Sequence, residues 1–199
     1  MSKNDPQSEK REKQKQRKWV LTIFFATILI SGTISLASDA IMANSNMVVA
    51  FLILLLIIFV GIIFDIIGMA VATADEKPFH AMAARKVTGA KECITLLRNA
   101  ERVSSICNDV VGDICGVVSG SASATIAAQV LANFEFGLSD LISLTMSSLV
   151  AALTVGGKAV GKSIAVRSCT DIVYHAGQII HFVNHIGSFL KPSKKKTKR

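Results

Sequence analysis

Five polar side chains interrupt stretches of the sequence that are otherwise apolar, and four of them suit the binding of a hard cation. Asp65, Asn108, Asp109 and Asp113 offer oxygen atoms. Carboxylate and amide oxygens are the ligands that Mg²⁺ and Ca²⁺ prefer. The fifth residue is Lys158, whose ammonium group can take the place of a cation beside a carboxylate. Two interpretations therefore stay open, a divalent-cation site or an Asp–Lys ion pair without any ligand.

These residues lie in long apolar segments, and another such segment precedes them in the chain. Crossing a bilayer requires about 20 mostly apolar residues, and these segments are long enough. The clearest segment is residues 47–72, in which Asp65 is the only charge. Residues 19–36 are predicted to be a retained membrane anchor, with a cleaved signal peptide as the alternative. Residues 104–132 and 138–165 are predicted to be the third and fourth spans. The fold class is therefore all-α, a helical membrane protein with about four transmembrane helices.

Glycine is unusually frequent in the third and fourth predicted spans. In the third, Gly112, Gly116 and Gly120 recur every four residues, a spacing that lets helices approach closely in lipid. In the fourth, the glycines lie on either side of Lys158, and each costs about 1 kcal/mol relative to alanine in a helix. We therefore expect an unwound or kinked backbone there, which would shape the cation site. The three glycines concerned are Gly156, Gly157 and Gly161.

Two further segments are amphipathic rather than uniformly apolar. Residues 75–102 are predicted to form a helix at the membrane surface, with Asp75 as its cap and Pro78 in its first turn. Residues 168–190 combine an apolar stripe with a polar side and are predicted to form an interfacial helix, with a fifth span as the alternative. On the polar side, His181 and His185 have the i, i+4 spacing that can chelate a transition metal, but solvated side chains are the favoured interpretation.

The distribution of basic residues predicts which side of the membrane each segment occupies. Of the 22 Lys and Arg residues, thirteen lie in residues 1–18 and 191–199, and six more lie in residues 75–102. The two connections predicted on the other side, near residues 38–46 and 133–140, have none. Basic residues concentrate on the cytoplasmic side of spans, so both termini are predicted to be cytoplasmic.

Several other functions are disfavoured by the sequence. The net charge of +8 invites a nucleic-acid interpretation, but the basic tails adjoin apolar segments and are better suited to anionic lipid. Residues 156–163, GGKAVGKS, match the phosphate-binding pattern GxxxxGK[ST], but the preceding run is long enough to span lipid and no nucleotide is expected. The four cysteines show no metal-binding or disulfide spacing. No nucleophile–base constellation stands out, so the chain is not expected to be an enzyme.

From residue 47 to residue 190, the order of these parts resembles the membrane domain of the cyclin M / CorC–CorB magnesium-transport family (CNNM domain). That domain contains patterns similar to FSxxETAxxS, LLxxPxR and GExxPKSxA, followed by an amphipathic belt helix. The corresponding segments here are FDIIGMAVAT at residues 64–73, LLRNAER at residues 96–102 and GKAVGKSIA at residues 157–165. Residues 19–46 then form an extra N-terminal helix and outer loop, and the tails are residues 1–18 and 191–199.

The resemblance implies Mg²⁺ transport by a homodimer in the bacterial cytoplasmic membrane, with the ion bound among kinked helices. Carried over by position, the serine of the first motif becomes Asp65 and its glutamate becomes Gly68. The glutamate of the last motif becomes Lys158 and its proline becomes Gly161. Our leading hypothesis is Mg²⁺ transport or homeostasis with Asp65, Asn108, Asp109 and Asp113 as ligands. The alternative is a non-transporting interaction protein whose ion site has become an Asp65–Lys158 pair.

Overall fold

The structure, a computed structural model, describes residues 6–43, 45–133 and 139–190, and every regular element in them is helical. In chain order the elements are α1 (Pro6–Ala43), α2 (Met47–Thr73), α3 (Lys77–Ala84), α4 (Ala90–Arg98), α5 (Ala100–Ser105), a π-helical stretch (Ile106–Gly112), α6 (Asp113–Asn133), α7 (Ser139–Arg167) and α8 (Cys169–Leu190). The all-α prediction is confirmed.

Four helical segments are long and apolar enough to cross a membrane: Gln16–Ser38, Met47–Thr73, Ala100–Leu131 and Ser143–Arg167. They correspond to the four spans that the sequence predicts. Many of their large apolar side chains are exposed on the chain, as expected for helices that face lipid. The first segment continues a helix that begins at Pro6, so the basic residues before it extend the same helix.

The chain divides into two compact units, and α2 and α7 contribute to both. The first unit contains the described residues of Met1–Gly61 and Val110–Thr154. In it, α1 packs against α6, and Ile23 and Ile57 contact the buried side chains Val110, Ile114 and Val118. The close helix approach predicted at Gly116 and Gly120 is not present in the described residues, because a Cβ at either position would meet no atom within 4 Å.

The second unit contains the described residues of Ile62–Asp109 and Val155–Arg199. Its buried apolar core combines residues from α2, α3, α4, α7 and α8. They are Ala70, Val71, Phe79, Cys93, Leu97, Ala165 and Val173. This unit also contains every pair of side chains on which the candidate site depends.

The amphipathic segment 75–102 is not one helix, which corrects the sequence prediction. Asp75 does accept a hydrogen bond from the backbone N–H of Lys77, at 3.2 Å, and Pro78 lies in the first turn of α3. However, α3 ends at Ala84, since Lys86 adopts a left-handed conformation with φ of 58°. The N–H of Val87 then bonds the carbonyl of Met82, and the N–H of Lys86 bonds that of Ala83, the pattern of a Schellman cap. The helix therefore terminates before α4 begins.

The predicted unwinding at the glycines of the fourth span is wrong. Helix α7 is continuous from Ser139 to Arg167, and Gly156, Gly157 and Gly161 lie inside it. Two of them instead permit close approach of α2: a Cβ at Gly157 would overlap the side chain of Ile62, and a Cβ at Gly161 would lie 2.8 Å from Cγ1 of Ile66. The match to the phosphate-binding loop is likewise α-helical throughout.

Helix α8 packs on α4 through a face that the sequence does not predict. Val173 and Gly177 are buried and His181 is partly buried, so residues at i, i+4 and i+8 form this face. The Sγ of Cys93 on α4 donates a hydrogen bond to the carbonyl of Val173 at 3.3 Å. The apolar side chains of α8 at Ile179, Phe182 and Val183 stay exposed and are available to lipid, as an interfacial helix requires.

We predict that Gly177→Ala destabilises the protein by about 1 to 3 kcal/mol because overpacking a close contact forces the backbone to shift. A Cβ at Gly177 would overlap Sγ of Cys93 and lie 2.9 Å from the carbonyl oxygen of Gly89. Gly156→Ala is the matched control, since a Cβ there meets nothing within 4 Å. That variant is expected to gain up to about 1 kcal/mol from helix propensity. Thermal unfolding in detergent measures both, and equal effects would contradict the packing assignment.

Candidate functional site

Asp65 lies in the middle of the second unit's part of α2 and is paired with a lysine of α7. The Nζ of Lys158 is 3.6 Å from Oδ1 of Asp65, and their side chains are 23% and 7% exposed. Charged hydrogen bonds between an ammonium and a carboxylate measure about 2.7–2.9 Å, so this ion pair is long. The two charges compensate each other within candidate membrane spans, where an unpaired charge costs at least a few kcal/mol.

Close helix contact brings this pair together. Gly157 and Gly161 flank Lys158 on α7 and face Ile62 and Ile66 on α2. These isoleucines in turn flank Asp65 in sequence, at positions 62 and 66. Because glycine has no side chain, the backbone of α7 can approach α2 here, and the lysine reaches the carboxylate.

Asn108 lies against the same helix, next to Gly68. A Cβ at position 68 would overlap Oδ1 of Asn108, so the asparagine side chain fills the space that a larger residue would need. Its Nδ2 donates to Oγ of Ser104 at 3.3 Å. With the amide in this orientation, Oδ1 is buried and has no hydrogen-bond partner within the described residues. A buried amide oxygen without a donor is free to accept a cation or a water molecule.

Asn108 and Asp109 both belong to the π-helical stretch, residues 106–112. π-helical turns are rare and frequently occur at functional sites. Asp109 is exposed, and its Oδ2 accepts a hydrogen bond from Oγ of Ser105 at 2.8 Å. Each of the two polar side chains thus has a serine partner four residues earlier. The spacing Ser-Ser-x-x-Asn-Asp is a sequence signal that would have identified both serines.

The four predicted ligands are not all brought together. Asp65, Asn108 and Asp109 belong to the second unit, but Asp113 is an exposed residue of the first. Across residues 6–43, 45–133 and 139–190, no group of three or more His, Cys, Asp or Glu side chains is positioned to hold a metal ion. The structure therefore offers one carboxylate with its compensating ammonium, and one amide oxygen against Gly68, three residues further along α2.

One carboxylate and one amide oxygen would be compatible with a hydrated Mg²⁺ ion. Mg²⁺ keeps several of its water molecules and is commonly held by only one or two carboxylates. Asp65 would supply the charge, and the oxygen of Asn108 would bind the ion directly or through water. Lys158 would have to leave the carboxylate first, which the long ion pair facilitates.

His181 is partly exposed, but it also has a partner that the sequence does not predict. Its Nδ1 is 2.8 Å from Oε1 of Glu92, and this contact joins α8 to α4. The hydrogen bond with His181 lowers the pKa of the Glu92 carboxyl, against the opposing effect of partial burial. His185 stacks on His181 with ring centroids 6.2 Å apart. His181 therefore links α8 to α4, whereas the stacking of His185 lies within α8.

We predict that the Asp65–Lys158 pair is energetically coupled. Lys158→Met alone is expected to cost about 2 to 4 kcal/mol because it leaves a buried carboxylate uncompensated. The double variant Asp65→Asn/Lys158→Met should lose less than the sum of the two single variants. Unfolding in a mixed detergent measures each, and Lys162→Met, one turn further along α7 and exposed, is the control. Strict additivity of the single effects would contradict the pairing.

We predict that the Glu92–His181 contact weakens in acid. A carboxyl whose pKa is lowered by folding stabilises the fold above its unfolded pKa, and this contribution is lost as the pH falls through the folded pKa. The melting temperature of the wild type should therefore fall more than that of Glu92→Gln between about pH 5 and about pH 3. Glu101→Gln, at an exposed position, serves as the control. Parallel acid profiles for wild type and Glu92→Gln would rule the contact out.

Comparison with known proteins adds no assignment to this geometry. No protein-family model, curated protein or solved structure matches the chain. The resemblance to the cyclin M / CorC–CorB family therefore stays a prediction from the motifs. The features that bear on function are the Asp65–Lys158 pair and the buried oxygen of Asn108, in a helical chain with four candidate membrane spans.

Proposed function

We propose that this protein transports a divalent cation, Mg²⁺, across the bacterial cytoplasmic membrane. The observation that carries the proposal is the buried Asp65 carboxylate within a candidate span, held at 3.6 Å by a displaceable ammonium group. Ionisable residues inside membrane spans are costly and commonly mark ion pathways. Transport, rather than catalysis, is the function that such a group serves best.

Asn108 supports the choice of a hard cation. Its Oδ1 is a buried oxygen without a hydrogen-bond partner within the described residues, and it lies against Gly68, three residues after Asp65 on α2. In the family that the motifs resemble, a glutamate corresponds to Gly68. The asparagine therefore occupies space that such a side chain would use, and it returns one oxygen ligand to the site.

Lys158 acts in this proposal as the counter-ion of the cation-free state. A dehydrated carboxylate within lipid requires a positive charge at all times, and the lysine supplies it until Mg²⁺ arrives. Binding then exchanges one cation for another, and the ammonium retreats. Competition with Lys158 would keep Mg²⁺ affinity modest, which suits a transporter because a tightly held ion is released slowly.

The remaining parts of the proposal follow the sequence predictions. Both termini would lie in the cytoplasm, according to the positive-inside bias. The resemblance adds a homodimer as the working assembly. Neither a nucleotide nor a nucleic acid takes part in the proposed function.

The test is Mg²⁺ uptake into liposomes that contain the purified protein and an internal Mg²⁺-sensitive dye. Wild type is expected to carry Mg²⁺, and Asp65→Asn to lose at least about tenfold in rate, since a charged ligand is worth more than about 1.4 kcal/mol. Asp75→Asn removes an exposed carboxylate just after α2 and should transport normally. Undiminished flux through Asp65→Asn would reject Asp65 as a ligand.

The ion pair itself favours a second candidate, a membrane interaction protein that binds no ion. In that case Lys158 permanently replaces a transported cation beside Asp65. Well-folded wild type would then show no Mg²⁺ flux, and Lys158→Glu would create cation affinity or prevent folding. If the site is active and uses Lys158, the same variant loses transport. The two candidates are therefore separated by wild-type flux together with the effect of Lys158→Glu.

A further inference from the structure

One face of α1 changes from basic to apolar at the start of the first candidate span. Lys13, Gln16, Arg17, Val20 and Leu21 follow the spacing i, i+3, i+4, i+7 and i+8, so they share that face. Together they line an open groove of about 410 Å³. All five side chains are exposed on the chain. The groove is therefore charged at one end and apolar at the other.

The position of this groove relative to the bilayer follows from Trp19. It is the only tryptophan of the chain and comes three residues into the candidate span Gln16–Ser38. Tryptophan concentrates at the membrane–water interface. At a rise of about 1.5 Å per residue, Lys13 lies roughly 9 Å from Trp19 along the axis toward water. Leu21 lies roughly 3 Å from it in the other direction. The headgroup layer is about 5–8 Å thick, so the groove extends from headgroups into hydrocarbon.

We propose that this face of α1 binds an anionic phospholipid. Arg17 binds the headgroup phosphate in the two-pronged manner of a guanidinium, and Lys13 adds a second positive charge four residues away. Gln16 offers an amide to the polar headgroup. Val20 and Leu21 contact the upper part of an acyl chain. The proposal stands without the transport function, since it uses no residue of the Asp65 site.

Charge complementarity favours an anionic lipid over a zwitterionic one. Residues 10–18 contain six basic side chains and one acidic one, and all continue the helix of the span. Because the helix is continuous, the exposed charges of Lys13, Arg17 and Lys18 would stay close to the membrane surface, within reach of anionic headgroups. A nucleic acid would satisfy the basic half alone. It would leave the apolar half of the groove, Val20 and Leu21, without a partner.

Trp19, two residues from Arg17 on the same helix, provides the measurement, because its fluorescence is quenched by a brominated acyl chain close to it. Full-length protein is placed in nanodiscs of phosphatidylcholine with a small fraction of brominated phosphatidylglycerol or, in a parallel series, brominated phosphatidylcholine. We expect stronger quenching by the brominated phosphatidylglycerol. In Lys13→Gln/Arg17→Gln, the affinity for phosphatidylglycerol relative to phosphatidylcholine should fall about thirtyfold. Each basic residue near the surface contributes about 1 kcal/mol, and the variant removes two.

A matched variant, Lys77→Gln/Lys91→Gln, removes two exposed charges outside α1 and should keep the preference. Equal quenching by both lipids in wild type would overturn the proposal. An equal loss of preference in the two double variants would also overturn it. That result would indicate that the lipid preference depends on the net charge of the protein and not on a binding site in α1. Displacement of the brominated lipid by inorganic phosphate would assign the groove to a free phosphate ligand. Displacement by an RNA oligonucleotide would assign it to nucleic acid.

Discussion

An ionised carboxylate inside a membrane span constrains everything packed around it. Asp65 cannot be left without a compensating charge in hydrocarbon, so a cation must be within reach. Lys158 meets this requirement only because α7 approaches α2 closely. That approach depends on Gly157 and Gly161, which have no side chains. A Cβ at either position would meet Ile62 or Ile66 of α2. The glycines therefore determine the electrostatics of the site through packing, without any break in the helix.

The low polarity of the membrane interior also explains why the fold is more predictable than the site. Uninterrupted apolar length identifies the four spans, because backbone polar groups in lipid must be bonded within helices. The break between α3 and α4 was missed because a lysine, Lys86, occupies the left-handed position usually taken by glycine. The continuity of α7 was missed because propensities measured in water penalise glycine, whereas contact with α2 offsets that penalty.

Residue type predicts the members of the candidate site and, as one of two interpretations, the Asp65–Lys158 pair that the structure contains. The sequence could not predict that Asn108 lies against Gly68, because a π-helical stretch changes which side chains face α2 and leaves no mark on the apolar pattern. Asp113 was grouped with Asn108 from proximity in sequence, although it belongs to the first unit.

The chain thus handles positive charge in two ways that depend on depth in the membrane. At the start of the first candidate span, Arg17 is exposed, and in the proposed lipid site its long side chain would reach the headgroups. On α7, Lys158 is mostly buried within a candidate span and gains its counter-charge from Asp65. A lysine at this depth is stable only while the carboxylate remains, and the carboxylate only while some cation does. In the proposed function, exchange of one cation for another would therefore be the change of state that costs this site least.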